Sequence, residues 1–137
     1  MPRTIETRTR EEVGAMLALP GARAGRIGLA YCSAVVGAAA RRVAFARRGG
    51  SQPGCIRRAT DKAWSAAMVR QPTDAPGALG QPGAELFRIR HGHDGRVVVF
   101  GGGIPVMRDG RVTGAIGTSA GTVAQDVRVA RPGIGAL

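Results

Sequence analysis

Between residues 101 and 126 the chain reads GGGIPVMRDGRVTGAIGTSAGTVAQD, and this segment restricts the fold more than any other. Asp109-Gly110 stands between Val106-Met107-Arg108 and Arg111-Val112-Thr113. Both turn residues tolerate positive φ, so the pattern predicts a two-residue hairpin turn. Thr122-Val123-Ala124-Gln125 has capping-box spacing, which places a helix start at Thr122. A hairpin feeding a helix through small residues gathers backbone N–H groups with few side chains in the way. That suits either a binding surface or tight packing. Gly101-Gly102-Gly103 carries the same two readings: a bend allowing close backbone approach, or exposed peptide planes for a flat ligand. It is neither a Walker loop nor a dinucleotide fingerprint.

The rest of the chain predicts helices and strands in alternation. Residues 1–8 read as a flexible lead-in and 9–137 as a single domain, long enough for one core. Thr9-Arg10-Glu11-Glu12 is a second capping box, opening a helix with Val13, Met16 and Leu17 on one face. Pro20-Gly21 ends or kinks it, so it stops at Leu19 or resumes after Gly21. The apolar run 27–36 suits a buried central strand, and 42–47 a second strand. Residues 55–69 have helical spacing, with Ile56, Ala59, Ala63, Ala66 and Ala67 sharing a face and Trp64 and Met68 beside it. Residues 71–83, with three prolines and three glycines, read as a loop, a candidate lid or oligomer contact. Residues 85–91 and 96–100, joined by Asp94-Gly95, read as strands, so that 85–118 forms a four-stranded meander. Arg131-Pro132-Gly133 is expected to break the last helix. The sum is an α+β domain: a single antiparallel sheet of five to six strands with flanking helices.

Composition narrows the function. Hydrophobic residues make up 44% of the chain but aromatic residues only 4%, so the core is built of small side chains. This favours close backbone packing or burial against a second subunit, and a homo-oligomer, a dimer or higher, is expected. The net charge is +11, yet Lys62 is the one lysine among twenty basic residues. The arginines are scattered, paired only at Arg41-Arg42, Arg47-Arg48 and Arg57-Arg58, and no aromatic platform interleaves with them. That argues against nucleic acid and for an anionic ligand. An arginine-, alanine- and glycine-rich chain also looks like the codon bias of a GC-rich genome. Cys32 and Cys55 lack CxxC spacing and a histidine cluster, so no zinc site is expected, and two buried thiols are. The N-terminus shows no hydrophobic signal region, and 27–40 is too short and glycine-rich to span a bilayer. A soluble, cytoplasmic protein is expected.

The residues that carry chemistry are few. Gly117-Thr118-Ser119-Ala120-Gly121 matches G-x-S-x-G, but no histidine follows Ser119 and the expected sheet is antiparallel, so Ser119 is not read as a nucleophile. Its hydroxyl and the N–H groups of Ala120 and Gly121, at a helix start, suit a carboxylate or phosphate. Lys62, next to Asp61, reads as a ligand-binding ammonium or as a salt-bridge partner. Asp126 suits the helix dipole, with oligomer contact as the alternative. No catalytic residue is assigned; an enzyme would draw its acid or base from His91, His93, Asp61 or Lys62.

The block GGIPV, the DGR turn, GAIGTSAGT and QD closely resemble the C-terminal signature of the GlcG/HbpS family, small haem-binding or otherwise ligand-binding proteins. Upstream, Ala59, Lys62-Ala63, Ala66 and Pro72-Thr73 fit that family's second helix, and Val43-Ala44-Phe45-Ala46-Arg47 fits the strand before it. The likeness covers residues 43–131. It implies a profilin-like α+β fold and haem as a possible cofactor, with His91 or His93 as the iron's axial ligand. The ligand-binding positions expected are Lys62, Gly102, Gly103, Ile104, Ser119, Ala120 and Gly121. Gly37-Ala38-Ala39-Ala40 stands where relatives carry an acidic residue and paired glycines, which puts that part of the site in doubt. The function expected is binding of a planar anionic molecule such as haem. The alternative is a polycyclic aromatic metabolite of natural-product biosynthesis or resistance, bound, sequestered or modified by a cofactor-free or haem-assisted enzyme.

Overall fold

Both capping boxes close as their spacing requires. The Thr9 side chain accepts from the Glu12 N–H at 3.2 Å while the Glu12 carboxylate accepts from the Thr9 N–H at 2.8 Å. Thr122 and Gln125 repeat the exchange at 3.3 and 2.8 Å. Each cap satisfies donors that the helix cannot, a contribution of about 1 kcal/mol. The computed structural model describes residues 1–2 and 4–135; Arg3 of the expected lead-in and Ala136 and Leu137 of the expected domain lie outside the described residues. The elements are α1 (Arg10–Arg26), β1 (Cys32–Gly37), β2 (Arg42–Arg47), α2 (Cys55–Val69), β3 (Gly103–Arg108), β4 (Arg111–Ser119) and α3 (Val123–Ile134). Among the described residues no helix is long and apolar enough to cross a membrane.

Neither proline stops its helix. α1 runs through Pro20 to Arg26, and α3 through Pro132 to Ile134, which corrects the break expected at 131–133. Pro20 has no N–H to offer the Met16 carbonyl. That carbonyl lies where α3 crosses: a Cβ on Gly133 would stand 2.8 Å from the Met16 oxygen and 3.1 Å from Pro20 Cγ. The proline therefore sits at the α1–α3 crossing and not at an end. Because α1 continues to Arg26, the strand expected over 27–36 is shortened to Cys32–Gly37.

The sheet has four strands in the order β2-β1-β4-β3, every neighbour antiparallel, against the five to six expected. The hairpin turn is where the sequence put it, with Asp109 and Gly110 at φ of 50° and 72°. The strands expected at 85–91 and 96–100 are absent; turns and two short 3-10 segments, Ile89–His91 and His93–Gly95, take their place. The backbone of 96–98 is held by a helix side chain instead. The Ser65 hydroxyl, on α2, donates to the Arg96 carbonyl at 3.3 Å and accepts from the Val98 N–H at 2.9 Å.

Alternation along β1 and β4 builds two cores. Cys32, Ala34, Val36 and Ala115 pack on α2 with Ala59, Ala63, Ala66 and Trp64. Val35 and Ile116 face the opposite way, onto Met16 and Ala130 of α1 and α3. The layers are thus α2, sheet, then α1 with α3. Ile56 and Met68, expected on or beside the packed face of α2, are open to solvent. The lead-in ends on a buried side chain: Arg8 donates to Thr113 of β4 and pairs with Glu12.

Cys32 and Cys55 are not thiols. They form a disulfide joining the start of β1 to the start of α2, with Cα atoms 5.8 Å apart, which corrects the sequence expectation. The pairing arises from the docking of α2 on β1, and sequence spacing carries no sign of it. The chain-entropy estimate for a bridge closing a loop of this size is about 3 kcal/mol.

Candidate functional site

Lys62 is the pivot of the residues expected to bind a ligand. It sits on α2, is fully buried, and sends its ammonium past the end of β4 to α3. Nζ donates to the Thr118 carbonyl at 3.0 Å and to Asp126 Oδ2 at 2.5 Å. Glycines clear its way. A Cβ on Gly102, which holds φ of 120°, would meet Nζ at 2.7 Å, and one on Gly103 would strike the Lys62 carbonyl. Burial pushes the Lys62 ammonium below the usual lysine range, and the Asp126 carboxylate opposes the shift. Of its two sequence readings, the salt bridge is the one the structure shows.

Asp126 is used as fully. Its Oδ1 accepts from the N–H groups of Ala120 and Gly121 at 2.6 and 3.0 Å, and its carbonyl accepts from the Thr118 hydroxyl at 2.6 Å. The donors expected to meet a carboxylate or phosphate at the helix start are therefore held by the protein's own carboxylate. Ser119 Oγ accepts from Arg58 Nε at 3.2 Å.

The expected site residues are divided among three clefts. The first, about 280 Å³, is lined by Arg58, Lys62, Ser119, Ala120 and Gly121, with Cys55, Gln52 and Phe100 beside them. The Phe100 ring lies 5.1 Å from Lys62 Nζ and closes over the buried ammonium. The second, about 320 Å³, is a groove of Pro72, Ile104, Val127 and Ile134 over Gly102 and Gly103, with Arg131 and Asp74 as its charged residues. The Gly101–Gly103 bend is buried and allows a close backbone approach: Gly102 and Gly103 admit Lys62 on one side and line a groove on the other.

The third and largest cleft, about 530 Å³, brings His93 together with Arg42, Arg57 and Arg96. β2 supplies Arg42 and α2 supplies Arg57 and Asp61, while the turn at 93–96 supplies His93, Asp94 and Arg96. Asp61 accepts from Arg57 Nε at 3.0 Å and Arg96 Nε at 2.9 Å, fixing both guanidinium groups. Arg96 stacks over Trp64 at 4.6 Å, and His93 packs edge-on against the same indole at 5.2 Å. Arg42 rests over Phe45 at 5.9 Å and has no carboxylate partner among the described residues. His91 is exposed and lines none of the three clefts. The arginines of this cleft were missed in the sequence because they come from three separate elements. Among the described residues no group of three or more His, Cys, Asp or Glu could hold a metal ion.

Residues 9–135 match the family described as haem degrading protein HbpS-like. An uncharacterized 15.0 kDa protein from the dhaT-dhaS intergenic region of Citrobacter freundii is 46% identical over 66 residues, 48% of this chain and 46% of that protein. The matched segment spans less than half the length of the curated relatives. Among solved structures, Klebsiella pneumoniae protein ORFY superposes with a TM-score of 0.96 at 29% identity, covering 98% of this chain and 93% of that one. A PduOC:heme complex superposes with a TM-score of 0.93 at 27% identity, covering 96% and 95%.

Proposed function

Because this chain belongs to the HbpS-like family, we propose that it binds a planar, dianionic ligand of the iron-porphyrin class in the cleft of His93 and the three arginines. The observation that carries this reading is the meeting of one imidazole with Arg42, Arg57 and Arg96 around 530 Å³ of space. A structural relative of the chain is a haem complex, which supports haem as the member of that class. The donor set fits. Among the described residues the His93 ring makes no hydrogen bond, so a nitrogen remains for an iron, and the Trp64 contact orients the ring. Arg42, Arg57 and Arg96 would hold the propionates, guanidinium being suited to bidentate carboxylate contacts. An iron porphyrin would supply redox chemistry; the chain supplies the imidazole ligand and the cationic anchors for its carboxylates.

Haemin titration followed by absorbance tests this. Saturation near one haemin per chain with a sharp Soret band is expected. His93→Ala should abolish the sharp band and weaken binding by roughly tenfold or more, and Arg42→Ala by roughly three- to tenfold, the range of one charge-assisted contact. His91→Ala should behave as wild type. Equal loss in the two histidine variants, or loss in neither, overturns the assignment.

A second reading is favoured by the apolar groove over Gly102 and Gly103. Four apolar side chains, with Arg131 and Asp74 balancing each other in charge, suit a polycyclic aromatic molecule. Ile104→Glu should remove binding of such a probe while leaving haemin binding within about twofold, since the clefts share no residue. Self-association is part of the proposal, supported by exposed Val43, Ile56 and Met68; light scattering should then give a multiple of 14.1 kDa.

A further inference from the structure

We infer that Cys32–Cys55 is a thiol–disulfide exchange centre, with Cys55 the reacting sulfur and a small anionic thiol as co-reactant. The inference rests on the disulfide and on the cleft of Arg58 and Phe100, and is independent of the porphyrin proposal. Cys55 is the first residue of the fifteen-residue α2, whose N-cap, Gly54, provides no side-chain cap. No acidic residue stands in the first turn, while Arg57 and Arg58 do. A positive helix end flanked by guanidinium groups stabilises a thiolate, which is the setting of reactive cysteines. Cys55 is 3% exposed and lines a cleft of about 280 Å³, so that cleft is the side from which a reagent would approach it.

That cleft is suited to an anion. Arg58 gives hydrogen bonds to Ser119 Oγ and to Gln52 Oε1 at 3.1 Å, and both partners are neutral. Arg57, by contrast, is paired with Asp61. The charge of Arg58 is thus left to attract a carboxylate-bearing thiol. On the other side of the bond, Cys32 is fully buried. Its Sγ lies 3.7 Å from the Ser51 hydroxyl, which accepts from Arg47 Nε at 3.0 Å and keeps its own proton to give. A leaving thiolate at Cys32 therefore has a donor waiting. The chain has two cysteines, so no third thiol can divert the exchange.

The chemistry closes in two displacements. A thiolate RS⁻ attacks Cys55 Sγ, an R–S–S–Cys55 bond forms, the Cys55–Cys32 bond breaks, and its electron pair leaves on Cys32 Sγ. A second RS⁻ attacks the R-bearing sulfur, RSSR departs, and Cys55 is left as the thiolate. Two thiols are oxidised to one disulfide while the protein disulfide is reduced to two thiols; the reverse sequence oxidises the protein at the expense of RSSR. Reduction releases the start of α2 from β1 and with it the walls of two clefts, since Cys55 and Arg58 line one and Ile56 and Arg57 the other.

The test compares glutathione, which is anionic, with neutral 2-mercaptoethanol on the folded full chain, following thiols by alkylation and mass and the fold by circular dichroism. Glutathione should open the disulfide without loss of helix signal. With glutathione disulfide, Cys32→Ser should be modified at Cys55 at least roughly tenfold faster than Cys55→Ser is modified at Cys32. Arg58→Met should slow the glutathione reaction by roughly three- to tenfold, the effect of one partly screened charge, and leave 2-mercaptoethanol within about twofold. If Arg58→Met fails to fold, the wild type serves: raising salt should slow glutathione and not 2-mercaptoethanol. Reduction only in denaturant that unfolds the chain, faster modification at Cys32, or equal slowing of both thiols by the substitution or by salt would overturn the inference.

Discussion

Lys62→Met is expected to lower folding stability by about 3–5 kcal/mol, the cost of removing one member of a buried ion pair. The ammonium and the Asp126 carboxylate are 1% and 5% exposed, so neither is reached by water when the other is removed. Asp126 would keep the Ala120 and Gly121 N–H groups as partners. Asp126→Ala should therefore be at least as damaging, because it strands the Lys62 ammonium and unties both N–H groups at once. Replacing both residues should cost clearly less than the sum of the single changes, since the second replacement removes a charge the first left unpaired. Urea unfolding of the four proteins checks this. Strict additivity would mean that the pair does not act as a unit.

Burial gives the same pair a pH signature. The folded chain holds Lys62 below the usual lysine range, so between that lowered value and the unfolded value near 10.4 the folded state binds fewer protons than the unfolded state. Stability attributable to Lys62 then rises with pH across that window, and the desolvation cost is present in full below it. The gap between wild type and Lys62→Met should widen as pH climbs from neutral through that window. A gap that narrows would contradict the burial-dominated shift.

What could be read from the chain and what could not divides along the range of the interactions. Thr9 with Glu12, Thr122 with Gln125, and Asp109 with Gly110 act within three residues, and each formed as its pattern required. The family block was legible for the same reason, being one continuous stretch from Gly101 to Asp126. The strands expected at 85–91 and 96–100 failed because Ser65, thirty-three residues from Val98, satisfies the backbone that a strand partner would otherwise hold. Pro20 looked like a helix end or kink and Pro132 like a break, because the packing around them comes from another helix. The disulfide and the Lys62–Asp126 pair are likewise tertiary; the latter spans sixty-four residues. The site shows the same division. Lys62, Ser119, Ala120 and Gly121, singled out in the sequence, line one cleft while Gly102, Gly103 and Ile104 line another, and the arginines of the 530 Å³ cleft looked like scattered surface charge.

Gly117→Ala should be the most damaging single-methyl change in the protein, with a loss of about 3 kcal/mol or more, at or beyond the upper end of ordinary overpacking. The reason is that the added carbon would meet backbone and not a movable side chain: it would strike the Ala59 carbonyl oxygen and the Ala63 nitrogen of α2, and stand 3.0 Å from Lys62 Cβ. Gly117 pairs with Ala34 of β1 and Gly103 of β3 in the middle of the sheet, so β4 cannot shift away without breaking both ladders. α2 cannot shift either, because the disulfide ties its first turn to β1 and Lys62 ties its middle to α3. A small-residue core of this kind gains its stability from backbone-to-backbone proximity, and one carbon in the wrong place removes it. Gly14→Ala is the matching control. It adds the same methyl inside α1, where nothing lies within 4 Å, and should stabilise by about 0.5–1 kcal/mol through helix propensity. Thermal unfolding of the two variants beside the wild type should therefore move in opposite directions. If Gly117→Ala melts within a degree or two of the wild type, α2 and β4 are not locked together as the disulfide and the Lys62 network require.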